Sequence, residues 1–292
     1  MALTFTPLHP FFVAEARNVD LRRVEDPATL AAIRAGMEQY GVLVFRDQPF
    51  TDAEQLAFAQ RFDGELHAKT GTSALGANRF GNEALTDISN VDEHGALLPA
   101  DDRRRQYGLA NRLWHTDASF QDPPGRFSLL STRVLPPGGA DTEFADMASA
   151  WDALSDTMKS RLEGLSVHHS IAYSRQILGF DFSTEELDKL RGAIHPLVRR
   201  NPTTGRRSLY LASHASHIVE WSLPEGKLML RELIEHATQP QFVYRHRWAE
   251  HDLVIWDNRA TMHRARPFED LQHVRELRRV TTLDIHAITP FA

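Results

Sequence analysis

Trp114-His115-Thr116-Asp117, read with the distant Trp256-Asp257-Asn258-Arg259-Ala260-Thr261-Met262-His263, is the stretch that decides how this chain folds. His115 and Asp117 are two residues apart. On a β-strand that spacing puts both side chains on one face. One short strand then offers an imidazole and a carboxylate, and a distant strand around His263 offers a second imidazole. Two histidines and one carboxylate are the ligand set of the facial triad that holds non-haem Fe(II) for oxygen activation.

The triplet alone carries little weight. With 15 histidines and 39 acidic residues among 292, about two His-x-Asp/Glu triplets arise by chance, and this chain has one. A surface histidine beside a surface carboxylate explains a bare triplet as well. What surrounds it has to decide.

Composition narrows the field. The chain is 42% apolar and 25% charged, ordinary values for a globular protein with a sizeable core. Its net charge of −6 argues against a nucleic-acid partner, which needs a basic surface. It leaves a small anionic substrate open, because a few local arginines suffice for that. Without cysteine there is no disulfide, zinc-thiolate site or thiol nucleophile, which fits a reducing compartment. The first twelve residues show no basic segment followed by an apolar one, so no secretory signal is read. No uncharged apolar run approaches the roughly 18 residues of a membrane span. The expectation is a cytoplasmic protein without a membrane partner, assembled as a homo-oligomer.

Helix starts are legible in three capping-box patterns, Thr51-Asp52-Ala53-Glu54, Ser183-Thr184-Glu185-Glu186 and Ser222-Leu223-Pro224-Glu225, which predict helices over 52–63, 184–191 and 224–237. Apolar residues at three- and four-residue spacing add 28–39 and 147–163. Strand-like runs are more numerous: 42–45, 127–134, 142–144, 167–173, 208–211, 242–248, 253–256 and 280–285. Turn signals such as Pro136-Pro137-Gly138-Gly139 separate them. Many short strands with few helices predict a mainly β (α+β) fold, a sandwich or jelly roll with helical insertions. Helices do not alternate with strands, and no Gly-x-Gly-x-x-Gly turn supports a dinucleotide fold. The stretch 64–108 does not read as regular structure. Lying just before His115, it is expected to be an active-site lid or, alternatively, a surface insertion. Arg103-Arg104-Arg105 within it reads as a solvated charge run.

Imidazole and carboxylate suit Fe(II), and three ligands on one octahedral face leave three positions for a co-substrate and dioxygen. A zinc hydrolase is the competing metal reading, although no His-Glu-x-x-His helix is present. Downstream of His263, Arg275 and Arg279 are four apart, so on a strand they share a face. Facing a barrel interior they would need anionic partners, such as the carboxylates that arginine binds in a fork. Exposed arginines on an edge strand are the other explanation.

Several motifs together carry a resemblance. Asn111-x-x-Trp114-His115-Thr116-Asp117, then Gly139-Ala140-Asp141-Thr142-Glu143-Phe144-Ala145-Asp146-Met147, then Trp256-Asp257-Asn258-Arg259 ending in His263, then Arg275-x-x-x-Arg279 are similar to the Fe(II)/2-oxoglutarate dioxygenases of the taurine dioxygenase superfamily. Within it the chain most resembles the 2,4-dichlorophenoxyacetate (aryloxyalkanoate) dioxygenases. Leu8-His9-Pro10, Val42-Leu43-Val44-Phe45-Arg46, Asp87-Ile88-Ser89-Asn90-Val91, His214-Ala215-Ser216-His217 and Phe242-Val243-Tyr244-Arg245-His246-Arg247-Trp248 extend the likeness over nearly the whole chain.

The resemblance implies a double-stranded β-helix, or jelly-roll core, in a single catalytic domain spanning 1–292. It implies His115, Asp117 and His263 as iron ligands, and Thr142 and Arg275 on the far carboxylate of 2-oxoglutarate. It places Arg279 at the substrate's anionic group and Asn111 in the substrate pocket. His214 and His217 match histidines near the substrate, although core or surface histidines are an alternative for either. Lys69, in the suspected lid, could also reach a carboxylate. With O2 and 2-oxoglutarate as co-substrates, the implied reaction hydroxylates the carbon next to the ether oxygen of an anionic aromatic aryloxyalkanoate. The product falls apart to a phenol and glyoxylate, beside succinate and CO2. The segment Lys69 to Asn82 matches the family poorly, which leaves the natural substrate open. A taurine or alkylsulfonate dioxygenase with the same machinery is one alternative, and a jelly-roll metal-binding protein without turnover is another.

Overall fold

The computed structural model describes residues 2–68, 79–138 and 140–285. Lys69 and the segment 69–78 therefore lie outside the described residues. In chain order the first elements are β1 (Thr4–Pro7), β2 (Ala14–Arg17), α1 (Pro27–Tyr40), β3 (Val42–Phe45), α2 (Asp52–Asp63), β4 (Leu85–Ser89) and α3 (Arg103–Gly108). Then come β5 (Gly125–Val134), β6 (Thr142–Asp146), α4 (Met147–Asp152), α5 (Asp156–Leu162), β7 (Ser166–His169), α6 (Ile171–Gln176) and α7 (Thr184–Lys189). The last are β8 (Ala193–Pro196), β9 (Val198–Arg200), β10 (Arg207–Leu209), β11 (Ala215–Ile218), α8 (Leu223–Ala237), β12 (Val243–His246), β13 (Leu253–Asp257), β14 (Thr261–Ala265) and β15 (Glu276–Leu283).

Among the described residues the largest sheet has seven strands in the order β1-β2-β3-β13-β5-β15-β4. All its pairs are antiparallel except β2 with β3. Period-two alternation gives it two buried faces. Leu43, Phe45, Phe127, Leu129, Leu253, Ile255 and Val280 pack under α1 and α2, against Ile33, Met37, Phe58 and Phe62. Val42, Val44, Leu130, Val254, Trp256 and Leu277 point the other way and meet Phe144 of β6. Phe144 belongs to a three-stranded sheet, β12-β6-β14, so the two sheets face each other across this second layer. Behind the smaller sheet, Ala145 and Met262 join α4, α8 and the strands β9 to β11 in a further core.

Local chemistry explains most boundaries. Asp26 accepts from Thr29 N at 2.8 Å and Pro27 opens α1, while Gly41 ends it at φ 67°, a left-handed turn that glycine adopts without cost. Thr51 with Glu54 and Ser183 with Glu186 form the expected capping boxes on α2 and α7. The third pattern differs. The Ser222 side chain accepts from no backbone N–H of α8 among the described residues; its hydroxyl donates to the Glu225 side chain at 2.5 Å instead.

Five expectations need correction. The predicted helix 147–163 is two helices, because Ser155 accepts from Met158 N and starts α5 afresh. The strand expected over 167–173 stops at His169, where Ser170 caps α6 by accepting from Tyr173 N. And 64–108 is not irregular throughout: β4 joins the large sheet beside β15, and α3 carries the arginine run. Those arginines are paired rather than merely solvated, Arg103 with Glu186, Arg104 with Asp102 and Arg105 with Asp270. β15 is likewise no edge strand, since β5 and β4 flank it.

Candidate metal centre and its cavity

His115, Asp117 and His263 are all buried, and one ligand atom of each lies within 4.8 Å of the others. They come together in a way the spacing argument did not foresee. His115 sits on an isolated bridge, pairing with His263 of β14, and the chain turns directly after it. Asp117 thus reaches the site from a turn rather than from a strand. In that turn Ala118 takes φ 54°, an uncommon conformation for a residue with a side chain. Gly125, at the start of β5, allows the turn to lie close. A Cβ there would come within 2.8 Å of Thr281 and 3.2 Å of the Asp117 carbonyl oxygen.

A polar network fixes each group. His115 Nδ1 lies 2.8 Å from the Leu113 carbonyl, so Nδ1–H donates and Nε2 keeps its lone pair for the site. Asp117 Oδ2 accepts from the Ser128 hydroxyl at 2.7 Å, and Oδ1 is ion-paired with Arg279. Asn258 latches the turn. Its Oδ1 accepts from Asp117 N at 3.0 Å and from Trp256 Nε1 at 3.0 Å, and its Nδ2 donates to Ser128 Oγ at 2.9 Å. Thr116 donates its hydroxyl to the Asn258 carbonyl at 2.7 Å. His263 Nε2 is 3.8 Å from Asp117 Oδ2.

The electrostatics suit a divalent cation. Burial brings the His115 imidazole down to about 4, against the opposing pull of Asp117. Burial also takes His263 well below the usual range. Both are therefore neutral near pH 7. Burial pushes the Asp117 carboxyl up, but Arg279 and then the two histidines outweigh it and hold it below the ordinary carboxylate range. Two neutral imidazoles and one ionised carboxylate are the protonation states a metal needs from such ligands. The donor set has no thiolate, so an oxygen- and nitrogen-loving ion such as Fe(II) fits it.

The triad opens on a cavity of about 290 Å³. Asn111, Thr142, His214, Arg275 and Arg279 all line it. Thr142 and His263 share a face of the small sheet, since His263 is paired with Phe144. Arg275, just ahead of β15, is buried without an ion pair among the described residues, and burial lowers it to about 10. Its backbone N donates to Asn90 Oδ1 at 2.8 Å. His214 is buried edge-on to His115 and Phe120. His217 is not brought to the cavity. It lies three residues further on, beyond a register shift in β11, and packs against His168 while bonding Ser216. On extended backbone an odd spacing points two side chains to opposite sides.

Four contributors escaped the sequence reading. Asn258 and Ser128 carry no charge and no distinctive spacing, and they act by holding Asp117. Arg175 and Tyr107 lie on short helices and line the cavity. β5 also carries Arg126, Ser131, Thr132 and Arg133, so nothing in the sequence singled Ser128 out.

A buried His-Asp-His cluster at the edge of the small sheet, beside a cavity with buried arginines, defines a candidate mononuclear metal enzyme. The chain belongs to the taurine catabolism dioxygenase TauD, TfdA family, whose profile matches residues 4–281. It is 44% identical over 285 residues to the alpha-ketoglutarate-dependent 2,4-dichlorophenoxyacetate dioxygenase of Cupriavidus pinatubonensis, covering 97% of this chain and 99% of that one. It is 33% identical to the (S)-phenoxypropionate/alpha-ketoglutarate-dioxygenase of Sphingobium herbicidovorans, covering 93% and 92%. The solved structure of AAD-2 in complex with Mn(II) and N-oxalylglycine superposes with a TM-score of 0.88 at 43% identity, covering 97% of each chain.

Proposed function

We propose that this protein is an Fe(II)- and 2-oxoglutarate-dependent dioxygenase that hydroxylates the carbon next to the ether oxygen of an aryloxyalkanoate. The buried His115-Asp117-His263 cluster, in a chain 44% identical to a dioxygenase named for 2,4-dichlorophenoxyacetate, is the observation that carries this reading. The facing sheets are read as a double-stranded β-helix, and the whole chain as one catalytic domain. The described parts of 64–108 contribute Ile88, Val91, Leu98 and Tyr107 to the cavity wall, which supports the role of a cover over the site. The reducing cytoplasm, which keeps iron ferrous and supplies 2-oxoglutarate, is the fitting compartment.

His115, Asp117 and His263 would hold the iron. Bound there with 2-oxoglutarate and dioxygen, it supplies the oxidation: one oxygen atom leaves in succinate, released with CO2, and the other enters the C–H bond. The residues do the rest. Arg275 offers a fork to the far carboxylate of 2-oxoglutarate, with the Thr142 hydroxyl, which already accepts from Trp248 Nε1 at 3.0 Å, free to donate its proton. Ser128 and Arg279 keep Asp117 ionised and aimed. Phe120, Ile171, Leu98 and Leu130 give the cavity apolar wall that matches an aromatic ring and excludes water. Hydroxylation beside the ether oxygen makes a hemiacetal, which collapses to a phenol and glyoxylate.

A substrate panel with Fe(II), 2-oxoglutarate and ascorbate tests this. Phenol release coupled to succinate from phenoxyacetate or 2,4-dichlorophenoxyacetate is the expected result. Sulfite release from taurine with no phenol from any aryloxyalkanoate would overturn the substrate assignment.

A further inference from the structure

Arg275, the cation proposed for the far carboxylate of 2-oxoglutarate, is not held by its own side chain. The guanidinium is buried without an ion pair among the described residues. Nη2 donates one long bond to the Ala140 carbonyl at 3.4 Å, and Nε has no partner. An arginine with so many spare donors meets a carboxylate at a fixed place only if its backbone is fixed. The sheet does not do this. Regular pairing of β4 with β15 ends at Ser89 opposite Glu276, so Arg275 lies one residue beyond the ladder, where strand ends fray.

Asn90 supplies the missing hold. It follows β4 directly, is buried and lines the same cavity. Its Oδ1 accepts from Arg275 N at 2.8 Å. Its Nδ2 donates to the Asp270 carbonyl at 2.7 Å and to the His273 carbonyl at 2.8 Å. Its backbone N donates to the Arg275 carbonyl at 3.3 Å, and its own carbonyl accepts from Leu98 N at 2.9 Å. Every polar group of Asn90 is thus used. The amide has one orientation, because a backbone N–H can only donate and the two carbonyls can only accept. The loop it closes joins β14 to β15 and carries Asp270, whose carboxylate pairs with Arg105 of α3 at 3.0 Å and lies 3.6 Å from Arg112. Asn90 and Asp270 therefore tie the loop that ends at Arg275 to the cover from two sides.

Building on the proposed function, we propose that Asn90 is a positioning residue for the co-substrate: by fixing the backbone of Arg275 it sets where the guanidinium meets the far carboxylate of 2-oxoglutarate. The test titrates Mn(II)-loaded protein calorimetrically with 2-oxoglutarate and with oxalate, a dianion that can chelate the same metal but has no far carboxylate. Asn90→Ala should weaken 2-oxoglutarate about 3- to 30-fold, part of what a charge-assisted contact is worth, and leave oxalate within about twofold. In an Arg275→Gln background the same change should have no further effect on 2-oxoglutarate, because the group it positions is gone. Asn90→Ser, which keeps a hydroxyl for one of the three side-chain bonds, gives the same comparison if Asn90→Ala fails to fold. Unchanged 2-oxoglutarate affinity in a folded variant overturns the assignment. Equal weakening of oxalate overturns it too, because a merely structural role would produce that. Failure of the wild type to bind 2-oxoglutarate at all would instead bring down the proposed function, and this assignment with it.

Discussion

His115 and His263 exchange both backbone hydrogen bonds across an antiparallel bridge, His115 N to His263 O at 3.0 Å and His263 N to His115 O at 2.7 Å. The metal site therefore inherits its geometry from backbone pairing between two distant segments, with the imidazoles side by side at 4.2 Å between ring centres. Backbone pairing survives side-chain replacement. His115→Ala should keep the fold, measured as an unfolding midpoint within a few degrees of the wild type without metal. It should lose Fe(II) binding and succinate formation by at least about 1,000-fold, because one of three ligands is gone. Normal turnover in this variant would remove His115 from the site.

The same relationship shows what was readable in sequence. The His-x-Asp spacing and His263 were visible, whereas the burial of all three was not, because a bare triplet reads equally well as a surface pair. The route was not. Spacing of two suggested a strand, whereas Asp117 arrives on a turn that depends on Ala118 at positive φ and on Gly125 opposite it. Elements such as α2, β3 and β13 were legible because their caps or apolar runs are local. The end of β7 and the break at Ser155 were not, because Val167, Ile171 and Tyr173 resemble strand residues in either state. β4 escaped because its partner strand β15 is charged too, with Asp87 opposite Arg278, so no apolar alternation announces it. Arg175 escaped because only tertiary structure tells a buried arginine from an exposed one.

Arg275→Gln separates binding from folding. It removes an unpaired buried charge, so the protein without 2-oxoglutarate should be no less stable. The bidentate contact goes with it, at about 1.5–3 kcal/mol, so half-saturation by 2-oxoglutarate should rise about 10- to 100-fold. The stabilisation that 2-oxoglutarate confers in a thermal melt should shrink accordingly. An unchanged 2-oxoglutarate requirement would take Arg275 out of that role.

Acid should destabilise the metal-free protein in a defined window. Burial holds His169 well below its ordinary 6.5, and His214 likewise. For a base whose folded value is depressed, the unfolded chain binds the proton first. The stability tied to neutrality is thus complete above about pH 6.5 and lost as pH falls below it. The expected slope is up to about 1.4 kcal/mol per pH unit for each such histidine, read from urea unfolding between pH 7 and pH 5. His169→Gln should lower that slope by close to one proton. An equal slope in the variant would mean that His169 is not neutral in the folded state.

Asn258 offers the sharpest separation of orientation from ligation, because it touches Asp117 without being a ligand. Asn258→Ala strands the Asp117 N–H and the Trp256 indole N–H, each accepted by Oδ1 at 3.0 Å. Two buried donors left unmatched cost about 1–3 kcal/mol each, which urea unfolding would report. Ser128 also loses the donor that holds its hydroxyl toward Asp117. Supports of this kind typically change metal affinity about 10- to 100-fold, so Mn(II) should bind that much more weakly. Ser128→Ala, which removes one contact to the carboxylate and strands the Asn258 amide and the Thr281 hydroxyl, should show a smaller loss of Mn(II) affinity, because the Asn258 bond to the Asp117 N–H remains. Lower stability with unchanged Mn(II) affinity in Asn258→Ala would show that the Asp117 turn keeps its shape without this latch.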